Sequence, residues 1–186
     1  MVSQEDKIGA MKTKTGTLLY FNDENPFTIE LEGELNLNQF PLIGLNDKNF
    51  QIITNTAQTK STDIKALLQE YMNWEINYLK ETFPDVVKAK SEFIENKGEL
   101  MHFWYYQNPV IEDAPVDIKP FKMTFLLDWK KDHHFYKLVY PSYNEDVESA
   151  KLFLVELKNK IHYYTSKIDL ERLYENIQKG NNYYVE

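Results

Sequence analysis

The chain has 186 residues, 42% of them hydrophobic and 15% aromatic, with 21 basic against 29 acidic side chains and a net charge of −8. That length suits one domain with a sizeable core. The acidic balance, with Arg172 the one arginine, argues against nucleic acid as the partner, and the absence of cysteine excludes disulfides, thiol nucleophiles and cysteine-held metals.

Residues 1 to about 16 are polar and aperiodic and read as a loose tail, leaving 17–186 as a single α+β domain. Thr17 to Phe21 and Phe27 to Leu31 read as strands around the turn cluster Asn22-Asp23-Glu24-Asn25-Pro26. Asn46-Asp47-Lys48-Asn49 is a second turn, leading into the β-type run Phe50 to Thr54. Ser61, Thr62 and Asp63 are N-cap types. After them Ile64, Leu67, Leu68, Tyr71, Met72, Tyr78 and Leu79 recur at helical spacing, with Glu75 alone breaking the stripe before Pro84 stops it.

An antiparallel meander follows. Val86 to Glu95 turns through Asn96-Lys97-Gly98 into Leu100 to Tyr106. Asn108 to Pro120 is a proline-containing loop longer than most connections. Phe121, Met123, Phe125, Leu127 and Trp129 then alternate with Lys122, Thr124 and Asp128, so one sheet face should lie on the core. Lys130 to His133 turns into the strand His134 to Tyr140. The last long helix spans Glu145 to Tyr164, opened by a Ser142/Glu145 capping box or by Asn144, with Val147, Ala150, Leu154, Leu157, Ile161 and Tyr164 as its buried stripe. A short helix from about Asp169 to Gln178 closes the chain. The order implies an antiparallel β-sheet covered by two amphipathic helices.

Site chemistry is sparse. The six glycines form no phosphate cradle, and the four histidines lack zinc-protease spacing. No catalytic residue, metal site or cofactor is expected. Asp132-His133-His134 reads as a solvated turn, with a metal site in turn geometry as the sharper alternative, and Glu30, Glu32 and Glu34 read as charge protecting an edge strand, with a weak cation site as the alternative. His102 lies among apolar neighbours, where a half-buried histidine is the plain reading and a catalytic one the sharper. Phe103-Trp104-Tyr105-Tyr106 puts two aromatics on each sheet face. Either both faces are covered, or Trp104, Tyr105 and Tyr106 with His102 line a binding surface.

The early strands through Ile53, the helix Asp63 to Glu81, the meander Val86 to Tyr140 and the helix Glu145 to Tyr164 together resemble the PsbP-like superfamily. That group holds extrinsic photosystem proteins, a Ran-binding nuclear-import factor and bacterial relatives. The helix Asp169 to Gln178 is an addition to the pattern. The resemblance implies an α/β/α sandwich that works by binding partners, and some bacterial relatives look like chaperones or adaptors for secreted effectors. It carries over no functional residue.

The expected function is therefore a non-enzymatic protein-binding module, an adaptor or chaperone. The alternatives are an immunity or inhibitor protein that neutralises a basic toxin, and an enzyme using scattered carboxylates or His102. The expected partner is another protein, with no nucleic acid and no membrane insertion. No run approaches the roughly 18 apolar residues of a membrane span. The chain reads as cytoplasmic, and a trimmed exported chain would look the same.

Overall fold

In a computed structural model, which describes residues 8–12, 18–22, 27–36, 41–56, 62–83, 88–109, 120–144, 146–164 and 169–179, the chain divides into two units. One is residues 48–155; the other joins residues 1–47 with 156–186. The sequence suggests a single domain because neither divide, at Asp47/Lys48 or at Val155/Glu156, has the composition of a linker.

The first unit holds five antiparallel strands: β6 (Lys48–Thr56), β7 (Lys90–Asn96), β8 (Glu99–Gln107), β9 (Met123–Lys131) and β10 (His134–Ser142), in the order β6-β10-β9-β8-β7. Tight turns set the register. Lys97 and Gly98 both have positive φ, 52° and 77°, so the β7–β8 hairpin closes on two residues with Asn96 opposite Glu99. Asp132 takes φ 52° in the β9–β10 turn, where the Lys130 ammonium donates to its carbonyl. Asp132 and His133 are exposed there, as a solvated turn requires.

Helix α1 (Ile64–Thr82) starts where its cap chemistry says it should. The Asp63 carboxylate accepts from Ala66 N at 3.1 Å. It ends at Phe83, whose extended φ of −135° suits a residue preceding proline. Its buried stripe sits on one sheet face, where Leu67 and Leu68 pack with Phe135, and Met72 packs with Trp104 and Leu126. The opposite face carries Phe50, Phe103, Phe125 and Tyr140. Phe153 of helix α2 (Val147–Asn159) meets Tyr140 edge-on at 5.0 Å and Phe50 at 6.1 Å. Both faces of the strand Met123–Lys131 are therefore covered, and its polar positions Thr124 and Asp128 are buried with its apolar ones. Alternation correctly separates the two faces of this strand; it does not say whether the second face is covered.

Helix α2 begins later than its sequence signals suggest. Its cap is Asp146, which accepts from Ser149 N at 3.0 Å and from Ser149 Oγ at 2.7 Å, and these bonds hold its carboxyl below the usual range. Ser142 instead ends β10 and accepts from Asn144 N, and Glu145 lies outside the described residues. Of the long loop, only the ends are described. Asn108 ties them together by accepting from Thr124 Oγ1 at 2.8 Å and donating to Phe121 O at 3.1 Å.

The second unit contains β1 (Ile8–Lys12), β2 (Leu18–Asn22), β3 (Phe27–Leu31) and β11 (Ile161–Tyr163) in one antiparallel sheet, ordered β1-β2-β3-β11. It also has the short pair β4 (Leu35–Asn36) and β5 (Ile43–Leu45), and helix α3 (Leu170–Lys179), capped by Asp169. Three expectations change here. Ile8–Lys12, within the segment expected as a tail, pairs with β2. Ile161–Tyr163, expected as the last helical turn, pairs with β3, and Thr28 Oγ1 lies 3.1 Å from Tyr164 Oη. The β-branched and aromatic composition of Ile161-His162-Tyr163-Tyr164 suits a strand better than a helix end. Strand β3 is flanked on both sides, so Glu30 protects no edge; Glu32 and Glu34 lie beyond the strand's end.

Beyond β3 the chain passes Gly33 at φ +136°, where an added Cβ would meet Asn46 Oδ1 at 2.5 Å. That oxygen accepts from Glu34 N at 3.0 Å, and Asn46 N donates to Glu34 O at 2.7 Å. Gly33→Ala combines a strained backbone with a collision. It is expected to lower unfolding free energy by about 1–3 kcal/mol. Urea denaturation measures this; an unchanged midpoint would mean the turn readily accommodates a Cβ.

Candidate functional site

Register brings three ionisable side chains into one row beneath α1. Asp128 of β9 stands opposite His102 of β8 and opposite Lys137 of β10, so all three point to the same face. The row ends in Ile53 of β6 and Phe93 of β7. Helix α1 lowers Glu75 onto it from above, pairing with the Lys137 ammonium. Asp128 and His102 have no solvent exposure and Lys137 has 3%, whereas the Glu75 side chain keeps 22%.

Each member has a defined environment. The Trp104 indole N–H donates to Asp128 Oδ2 at 2.6 Å, and Lys137 Nζ lies 3.8 Å from Asp128 Oδ1. Lys137 Nζ also sits 4.3 Å from the Tyr71 ring centroid and 5.7 Å from that of Trp104. His102 stacks on Phe93 at 4.2 Å, and its Nδ1 approaches Leu68 O at 3.4 Å. Tyr71 Oη accepts from Asn55 Nδ2 at 2.6 Å.

Desolvation dominates the electrostatics. Burial pushes the Asp128 carboxyl up to about 8, against the opposing pull of the Trp104 N–H. It pushes the Lys137 ammonium down to about 7. Burial also lowers His102 below the ordinary imidazole value, so the ring is neutral and Nδ1–H can donate to Leu68. The result is a set of buried ionisable groups packed beneath a helix, with Lys137 paired to Glu75.

The outer surface of α1 has a different character. Tyr71 stacks on Phe135 at 5.0 Å, Trp74 lies nearly parallel to Tyr71 at 6.4 Å, and Tyr78 nearly parallel to Trp74 at 6.3 Å. This ladder climbs from the core into solvent: Trp74 is 64% exposed and Tyr78 61%. On the other flank of α1, Asn73, Asn77, Lys80 and Lys88 rim an open groove of about 540 Å³ over Met72 and Ile76.

Of the residues singled out from sequence, the structure gathers His102, Trp104 and Tyr106 on the α1 face. His102 and Trp104 are buried, and Tyr106 is half-buried at 5.9 Å from Trp104. Tyr105 lies on the opposite face, tilted against Phe103 and Phe125. The most exposed aromatics among the described residues are instead Trp74 and Tyr78, although Tyr78 belongs to the expected buried stripe. Asp128, Lys137 and Glu75 were not singled out as a site; the one sequence signal was Glu75 interrupting an apolar stripe. Among the described residues no cluster of three or more His, Asp or Glu is placed to hold a metal ion, and no helix is long and apolar enough to cross a membrane.

No protein-family model and no curated protein matches the sequence. Among solved structures, the chain is similar to the solution structure of cyanobacterial PsbP (CyanoP) from Synechocystis sp. PCC 6803. The TM-score is 0.54 at 10% identity, covering 83% of this chain and 94% of that one. The fold is thus PsbP-like, a mixed α/β structure with a mostly antiparallel sheet. At this identity the likeness speaks to fold alone.

Proposed function

We propose that this chain is a non-enzymatic protein-binding module, a cytoplasmic adaptor or chaperone built on an α/β/α sandwich of the PsbP-like kind. The observation that carries the reading is the exposed, stacked pair Trp74 and Tyr78 on α1. Large aromatics left in water at the centre of a helix face are typical anchors of protein interfaces. They offer wide contact area with little side-chain entropy to lose on binding. The buried polar row supports the same reading. His102 and Trp104 face α1 and fix the helix that presents the anchors, so their part in binding is indirect.

Capture from native cells with the wild-type chain and with Trp74→Ala/Tyr78→Ala tests this. A stoichiometric partner held by the wild type and lost by the double variant, with circular dichroism unchanged, is the expected result. Equal capture by both chains would remove α1 as the binding face.

A further inference from the structure

Resting on the protein-binding reading, we infer that the outer arc of α1 docks a lysine- or arginine-bearing segment of the partner, its cations lying over Trp74 and Tyr78 and pairing with Glu70 and Glu81. At about 100° per residue, Glu70, Glu81, Trp74 and Tyr78 fall in this order within roughly 80° of helix arc. All four are exposed. The lysines of α1 lie elsewhere. Lys80 lines the groove on the other flank, and Lys65 reaches the Phe93 ring at 4.9 Å. The helix therefore separates its charges, with carboxylates beside the aromatics and lysines away from them.

The same helix already shows what such a set of groups holds. One step inward, Tyr71 and Glu75 together receive the Lys137 ammonium, which sits over the ring and pairs with the carboxylate. Trp74, Tyr78, Glu70 and Glu81 repeat this aromatic-and-glutamate chemistry in water. Among the described residues no cation lies over either exposed ring. A guanidinium fits best, because its plane stacks on an aromatic face while its N–H groups reach a carboxylate. The chain's net charge of −8 would draw such a segment in.

Acetylated hexaarginine is the probe, titrated by calorimetry at low ionic strength and by tryptophan fluorescence. Trp104 and Trp129 are buried, so Trp74 is the exposed reporter among the three tryptophans. One peptide per chain should bind and shift the emission, and hexacitrulline, which is neutral, should not. Affinity should fall about tenfold in Glu70→Gln/Glu81→Gln, a change at exposed positions that spares the core. Equal affinity in that variant would mean diffuse attraction by an acidic chain and would overturn the inference, as would equal binding of hexaglutamate. If hexaarginine fails while Trp74→Ala/Tyr78→Ala still loses the native partner, the basic-segment inference falls and the binding module stands. If the native partner survives that double variant, the binding face itself falls.

Discussion

Asp128→Ala is expected to leave the unfolding free energy at pH 6 about 2–3 kcal/mol below that of Asp128→Asn. The asymmetry follows from the proton. Burial raises the Asp128 carboxyl to about 8, so at pH 6 the side chain is a neutral acid. An asparagine has nearly the same shape and keeps an oxygen for the Trp104 N–H, now 2.6 Å away. Alanine leaves that buried indole N–H without its acceptor and opens a void beside Lys137, a pair of losses that together exceed an ordinary hydrogen bond. Were Asp128 ionised, both substitutions would strip Lys137 of a buried counter-charge, and both would be severe. Guanidinium denaturation of the three chains at pH 6 separates the cases. Equal large losses for Asn and Ala would show a carboxylate.

This contrast could not be drawn from the sequence, and the reason is register. Local signals were legible. Asp63 caps α1, Pro84 limits it, Asn96-Lys97-Gly98 closes a hairpin, and the alternation through Phe125 and Trp129 marks a strand with two unlike faces. Each depends on residues a few positions apart. The row Lys137–Asp128–His102 depends on which residue of three separate strands stands opposite which, and on a helix more than fifty residues upstream of Asp128 setting Glu75 above it. A single polar residue in an apolar stripe was the visible trace. Asp128 read as a solvent-side position because nothing in period-2 alternation says whether the second face is covered.

Similar reasoning explains the misplaced elements. Ile161 and Tyr164 continue the helical period of Leu154 and Leu157, so periodicity alone extends the helix. The bond Lys160 N to Leu157 O at 3.1 Å ends it in a turn, and pairing with β3 redirects the chain. Asp146 outcompetes Ser142 and Asn144 as cap because β10 extends through Ser142 and holds it in the sheet. Trp74 gave no warning. Its position is compatible with a stripe edge, and exposure is set by how far α1 rolls on the sheet, which helical spacing does not give.

The contribution of Asp128 and Lys137 to stability should pass through a minimum between about pH 7 and 8, and two substitutions should remove its two sides separately. Burial raises folded Asp128 to about 8, whereas the ordinary value for an exposed aspartate is 3.8. Between those values the unfolded chain binds fewer protons, so stability is full below pH 4 and falls as pH rises toward 8. Burial lowers folded Lys137 to about 7, whereas the ordinary lysine value is 10.5. Between those values the unfolded chain binds more protons, so this contribution is full above 10.5 and is lost as pH falls toward 7. The limbs therefore have opposite slopes and meet near neutrality. Glu75, His102 and Tyr71 face the same space, and burial lowers His102 below the ordinary imidazole value. Each limb should exceed about 1.4 kcal/mol, the equivalent of one pKa unit. Urea midpoints from pH 4 to 10 measure the curve, read as wild type minus variant so that the other carboxylates and lysines cancel. Asp128→Asn should abolish the acid-side limb and Lys137→Met the alkaline one. A difference curve that is flat for both variants would mean that neither group changes its proton affinity on folding. Because the row lies under α1, the protection factors of the α1 amides, in which the base-catalysed intrinsic exchange rate is divided out, should be lowest in the same pH window, where the seat of the Trp74 and Tyr78 face is weakest.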